Sequence, residues 1–181
     1  MDAIQKAIPA QVAVYLISLF ISVVAGRVLI PLLRRLKFGQ IEREEGPQSH
    51  KVKAGTPTIG GFIFLVPVVI LGTYFSFKDL RILPLVLVTL GFALIGFLDD
   101  FLKIKRKHNE GLTPKQKMVS ILIVAGIFTW YASTYTTEAG TLILPFLGMD
   151  SPITLPLVLS IPFNIFVLAA FTNAVNLTDG L

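Results

Sequence analysis

Residues 82–103 read ILPLVLVTLGFALIGFLDDFLK, and this stretch decides the fold. From Ile82 to Leu98 there is no charged side chain. About 20 apolar residues in a helix cross the roughly 30 Å of hydrocarbon in a bilayer. The run is continuous, without the in-and-out alternation of a barrel strand, so a membrane helix is predicted. It meets two adjacent carboxylates, Asp99 and Asp100, and then the cations Lys103, Lys105, Arg106 and Lys107.

Working outward, four more apolar blocks appear: Val12–Leu33, Thr58–Phe77, Met118–Tyr135 and Leu155–Val175. With Ile82–Leu98 they predict an all-α, polytopic transmembrane helix bundle of about five spans. Composition agrees. Of 181 residues, 54% are hydrophobic and 15% charged, and the mean hydropathy is +0.75. A soluble domain carries about 25% charged residues. The first block continues through Ile30 to Arg34-Arg35 and lacks a short core with a small-residue cleavage site, so it reads as an anchor. One membrane domain over residues 1–181 is expected.

Cysteine is absent, which excludes disulfides and thiolate metal sites. His50 and His108 are too few and too far apart in sequence for a histidine metal site. The net charge of +5 reads first as a topology signal. Arg34, Arg35, Lys37, Arg43, Lys51 and Lys53 lie in one connecting segment, and Lys103, Lys105, Arg106, Lys107, Lys115 and Lys117 in another. The positive-inside rule makes both cytoplasmic. The N-terminus then lies outside and the C-terminus in the cytoplasm. Arg27, inside the first block, is expected to snorkel to the interface. In the external loop, Gly140 and Leu142-Ile143-Leu144 suggest a short β-hairpin.

Three polar stretches face the cytoplasm in this topology. Asp99 and Asp100 suit a hard cation, which takes carboxylate and phosphate oxygens. They also suit a general base, because neighbouring carboxylates raise each other's pKa. The bland alternative is a solvated stop at a helix end, but acids there oppose the macrodipole. The basic tract satisfies topology and touches anionic lipid, or draws a diphosphate to the acids. The stretch from Ser49 to Gly61 offers glycines, hydroxyls and lysines where a helix begins. That suits an anion, or simply a turn with Thr56 as cap and Pro57 opening the helix. Asn173, Asn176 and Asp179 fall close together on one helical face. Their amides suit sugar hydroxyls or a uracil edge, and the acid suits a metal or base cluster.

Three motifs carry a resemblance: His50–Gly61 (HKVKAGTPTIGG), Gly96–Lys117 (GFLDDFLKIKRKHNEGLTPKQK) and Asn173–Leu181 (NAVNLTDGL). In order and spacing the chain resembles the polyprenyl-phosphate N-acetylhexosamine-1-phosphate transferases. HKVKAGTPTIGG resembles the branch acting on muramoyl-pentapeptide donors. The resemblance implies transfer of phospho-N-acetylmuramoyl-pentapeptide from UDP-N-acetylmuramoyl-pentapeptide to undecaprenyl phosphate, releasing UMP. It implies Mg²⁺ as cofactor, the bacterial inner membrane as location and a cytoplasmic active face. Membrane lipid is a partner, a homodimer is compatible with the resemblance, and nothing points to nucleic acid. Asp99 and Asp100 match the paired catalytic acids, with Asp99 the candidate base for the lipid phosphate. Lys103 and Lys107 would face the phosphates, and Lys53 and Thr58 match the first cytoplasmic motif. Asn173, Asn176 and Asp179 match a nucleotide- and sugar-binding stretch, and Asp99, Asp100 and Asp179 are the metal candidates. Family members continue past the position of Leu181, usually to ten helices, adding a further aspartate and a histidine-rich loop. Residues 1–181 are therefore expected to be the N-terminal half of a longer transferase. Two alternatives stand beside this reading: a related UDP-N-acetylglucosamine transferase, and a non-catalytic membrane remnant.

Overall fold

The computed structural model describes residues 9–36, 58–106, 110–136, 139–143 and 152–179, with side chains through Leu177. It forms two compact units, Met1–Leu112 and Thr113–Leu181. Helix dominates both, as the continuous apolar blocks predict. Four helices are long and apolar enough to cross a membrane, and a fifth apolar helix is shorter. Their surfaces carry exposed large apolar side chains such as Phe20, Phe64, Leu87 and Ile127. In water such a surface would be an aggregation liability, whereas lipid solvates it. The chain is a multi-pass membrane protein.

In the first unit, α1 (Ala10–Arg35) ends on Arg34 and Arg35, cations that favour a helix C-terminus. Its buried positions, Gly26 and Leu33, lie two turns apart on one face. This helix packs on α2 (Phe62–Ser76), which in turn packs on α3 (Leu83–Arg106). At Gly72 of α2 a side chain would run into Val86 of α3, so the two backbones approach closely there. Small residues allow such contact in membrane bundles.

Two expected boundaries are corrected here. The second block does not become helical at Thr58. Helix α2 begins at Phe62 after a turn through Gly60 and Gly61, and its 15 residues reach only about 22 Å. Gly61 occupies its cap position, with no side-chain cap, and Thr56 and Pro57 lie outside the described residues. The cause is local: Ile59 holds φ at 67°, a left-handed value that breaks the helical path. In addition, α3 does not stop at the aspartates but continues to Arg106. Asp99 and Asp100 are thus interior helical residues, and Lys103, Lys105 and Arg106 complement the dipole in the last turn. The expected conflict between the acids and the helix end does not arise.

In the second unit, α4 (Pro114–Tyr135) starts four residues before the apolar block. Thr113 Oγ1 accepts the Gln116 N–H at 3.2 Å, and Gln116 Oε1 accepts the Thr113 N–H at 3.0 Å. This reciprocal capping box, with Pro114 at the first helical position, fixes the start. Ile121, Ala125 and Thr129 form a buried stripe at four-residue spacing. The helix packs on α5 (Leu157–Asp179), whose buried positions include Ser160 and Ala169. Between them β1 (Thr141–Leu142) pairs antiparallel with β2 (Ile153–Thr154), Thr141 facing Thr154. A short antiparallel ladder is present in the expected loop, but its second strand is Ile153–Thr154 and not a segment turning back at Gly140. Asn164 Nδ2 of α5 donates to the Ala139 carbonyl at 2.8 Å and ties the loop to the helix.

Candidate active site

Asp99 follows Ile95 by one turn on the buried stripe of α3, and Lys103 follows Asp99 by one more. The fold therefore carries Asp99 inward; its side chain is 9% exposed, against 31% for Asp100. Lys103 Nζ lies 2.8 Å from Asp99 Oδ2 and 3.2 Å from Asp100 Oδ1. One ammonium thus bridges both acids. Pairing of this kind offsets the penalty of taking a carboxylate out of water.

Each acid has a further partner. The Thr58 hydroxyl donates to Asp100 Oδ2 at 3.0 Å. The Leu112 backbone N–H donates to Asp99 Oδ1 at 2.9 Å. Thr58 is aimed by its neighbours: Ile59 is buried and left-handed, and Phe62 meets Phe97 of α3 edge-on at 5.6 Å. Phe97 stacks on Phe101 one turn later, also at 5.6 Å, beside the aspartates. A left-handed β-branched residue is an outlier that surrounding structure must hold in place, and such residues gather at functional sites.

Of the sequence-predicted residues, the structure brings Thr58, Asp99, Asp100 and Lys103 into one cluster in the first unit. Lys53 and Lys107 lie outside the described residues. In the second unit Asn173 Nδ2 donates to the Ala169 carbonyl of its own helix at 2.8 Å. Asn176, three residues on and exposed, accepts through Oδ1 from the Lys117 ammonium. Asp179 closes α5, and its side chain is not among those described. Sequence reasoning missed Arg106, Gly111, Leu112 and the link from Lys117 to Asn176. For Arg106 and Lys117 the charge was noted, but nothing local in the sequence points to their partners.

Carboxylate oxygens are the ligands that Mg²⁺ takes, usually one or two of them with phosphate oxygens and water completing the shell. Asp99 and Asp100 fit that donor set in kind and number. Among the described residues no group of three His, Cys, Asp or Glu side chains comes together. The arrangement is a carboxylate pair with a mobile-length cation and a hydroxyl at the polar end of an apolar helix. It can hold a proton or an ion and meet a phosphate.

Outside the membrane spans, the Arg81 side chain and backbone N–H hydrogen-bond to Asp79 and lower its pKa from the ordinary carboxylate value to about 2. This pair caps the short turn Leu80–Ile82 that leads into α3.

Comparison with known proteins agrees with the geometry. The chain is 51% identical over 175 residues to a phospho-N-acetylmuramoyl-pentapeptide-transferase of Acetivibrio thermocellus, covering 96% of this chain and 52% of that protein. It is 48% identical over 178 residues to one of Clostridium perfringens strain 13, covering 96% and 53%. A Staphylococcus epidermidis relative of the same name is 43% identical over 174 residues, covering 92% and 52%. The chain thus spans about half the length of the curated relatives it matches. Residues 82–181, from the start of the carboxylate-bearing helix onward, match the model described as glycosyl transferase family 4, and the chain belongs to that family.

Proposed function

We propose that this protein acts in transfer of phospho-N-acetylmuramoyl-pentapeptide from its UDP donor to undecaprenyl phosphate, releasing UMP. The observation that carries the reading is the Thr58–Asp100–Lys103–Asp99 cluster at the polar end of a membrane helix, in a chain whose relatives bear that transferase name. The lipid acceptor is held by a membrane and the nucleotide donor is soluble, so the reacting groups belong where an apolar helix meets water. Residues 1–181 serve as one membrane domain, the N-terminal half of the transferase. The positive-inside pattern supports a cytoplasmic face for the cluster, in the bacterial inner membrane.

In the reaction an oxygen of the lipid phosphate attacks the phosphorus that carries the sugar. A new P–O bond forms, the bond to the UMP phosphate breaks, and UMP leaves with that electron pair. Both reactants are anionic, so the site must neutralise charge and accept any proton on the attacking phosphate. The carboxylate pair supplies the acceptor. Lys103 supplies a cation that swings between the acids and an incoming phosphate, joined by Lys107 and Lys53. Thr58 orients Asp100 through its hydroxyl. Mg²⁺ would be held by Asp100 and Asp99, with Asp179 a further candidate, and when bound it supplies charge neutralisation at the diphosphate oxygens. Asn173, Asn176 and Asp179 are assigned to the uridine and sugar of the donor. In Asn176 the bond from Lys117 fixes the amide orientation, leaving Nδ2 to donate.

Protein purified from its native membrane tests this. Supplied with undecaprenyl phosphate, it should release UMP from UDP-N-acetylmuramoyl-pentapeptide and leave UDP-N-acetylglucosamine largely unused. The reverse preference would move the assignment to the N-acetylglucosamine branch, and acceptor-independent silence with both donors would favour a non-catalytic membrane protein.

A further inference from the structure

Toward the end of the first unit remote from the acids, α1, α2 and α3 leave a groove of about 480 Å³. Its walls include Ser18 of α1, Phe64 and Phe75 of α2, and Thr89 of α3. The close approach of α2 and α3 at Gly72 narrows it, and exposed Phe64 and Leu85 leave it open sideways to the bilayer. The hydroxyls are turned to their own helices. Ser18 Oγ donates to the Tyr15 carbonyl at 2.8 Å, and Thr89 Oγ1 to the Leu85 carbonyl at 2.7 Å. The groove therefore presents hydrocarbon and few polar handles.

Its mouth lies at Phe75 and Ile82, under the turn that joins α2 to α3. That turn carries two cations. The Lys78 and Asp79 N–H groups both donate to the Phe75 carbonyl at 2.9 Å, which fixes the turn on the end of α2. Lys78 Nζ lies 4.7 Å from the centre of the Tyr74 ring and 5.9 Å from that of Phe75. Arg81 immediately precedes Ile82, and its side chain is 88% exposed. Asp79 engages Arg81 through Nε and Nη2, which orients the guanidinium with Nη1 beyond that pairing.

We propose that this groove seats an acyl chain of an anionic phospholipid, from the leaflet opposite the carboxylate cluster, and that Lys78 and Arg81 hold its phosphate. The depth fits. Along α2 the groove runs from Phe75 to Phe64, about 16 Å, which is about half of a hydrocarbon core roughly 30 Å thick. One leaflet's chain has that reach, whereas a helix packed against the bundle would follow it across the whole core. The charge fits as well. Lys78 and Arg81 outnumber Asp79 in the turn, and ammonium and guanidinium groups are phosphate donors. Tyr74, beneath Lys78, is a residue type that settles at headgroup level. Selection rests on the headgroup, because an apolar wall gains little over the lipid tails it replaces. The occupant is distinct from the acceptor of the proposed transfer. From Leu83 to Asp99 α3 rises about 24 Å, so a phosphate at Lys78 is out of reach of the acids.

Photo-crosslinking tests this without recourse to turnover, so its outcome is independent of the transferase reading. Protein from its native membrane is placed in phosphatidylcholine vesicles with a trace of phosphatidylglycerol that carries a diazirine on one acyl chain. Labelled peptides are then located by mass spectrometry. Label should fall on the groove-lining peptides of α1, α2 and α3. Unlabelled phosphatidylglycerol should compete about tenfold better than phosphatidylcholine with the same chains, the scale of two basic groups partly offset by one acid. Lys78→Gln, a change at an exposed position, should cut that preference about fivefold. Ser18→Phe, which fills the groove from α1, should remove most of the groove label. Equal competition by the two lipids, or an unchanged preference in Lys78→Gln, overturns the proposal. So does label confined to other segments, or groove label that persists in Ser18→Phe. Undecaprenyl phosphate displacing the groove label better than phosphatidylglycerol would also overturn it, since the acceptor lipid would then be the occupant.

Discussion

The Thr58 hydroxyl donates to Asp100 Oδ2 at 3.0 Å across 42 positions of sequence. This bond ties the turn before α2 to the carboxylate-bearing helix through Asp100. Hydrogen bonds to a charged group contribute about 1.5–3 kcal/mol, and about 1.4 kcal/mol is a tenfold effect. Thr58→Val, which keeps the shape and removes the hydroxyl, should therefore lower turnover about 10- to 100-fold. Thr58→Ser should recover most of it. Steady-state kinetics on the two variants checks this; equal activity in both would show that the hydroxyl does nothing for Asp100.

Lys103 stands between two acids, so its removal leaves a buried carboxylate without its cation. Breaking a buried pair destabilises by about 3–5 kcal/mol, and exposed pairs contribute far less. The Lys103 side chain is 36% exposed, so Lys103→Met should destabilise by about 1–3 kcal/mol, between those limits. The same change should raise KM for the anionic donor. Thermal unfolding in detergent and donor titration check both effects. An unchanged melting midpoint would mean that the bridge adds no stability.

The apolar blocks were legible because membrane spans are set by length and continuity, which a sequence displays directly. The acids were legible because two carboxylates following an apolar run are conspicuous. The end of α3 was misread because charge after an apolar run looks like an exit, yet FLKIKR continues the helix and places its cations where the dipole favours them. The start of α4 is written in Thr113-Pro114-Lys115-Gln116, a capping box with proline at the first position, which lies outside the apolar block that marks the span. The bond from the Leu112 N–H to Asp99 was not legible, because no side-chain type announces a backbone partner. The bond from Thr58 to Asp100 likewise depends on how α2 packs on α3.

The Asp79–Arg81 pair gives a pH-dependent signal remote from the acids of α3. Its carboxyl is held at about 2, below the ordinary value near 4. Its contribution is therefore fully present above about pH 4 and is lost as pH falls through about 2. Carboxyl titration followed by NMR should show Asp79 protonating near 2, and Arg81→Gln should return it toward 4. A midpoint near 4 in the parent protein would mean that the pair does not persist in solution.

The most direct test of the carboxylate pair removes both acids together. Acceptor-dependent UMP release from UDP-N-acetylmuramoyl-pentapeptide should be measured for the parent protein and for the double variant Asp99→Asn, Asp100→Asn, each checked for intact folding. A transferase centred on these acids predicts that the double variant loses about 1,000-fold or more, whichever acid takes the proton. Turnover in the folded double variant within about tenfold of the parent would contradict it, and the chemistry would have to reside elsewhere in the protein.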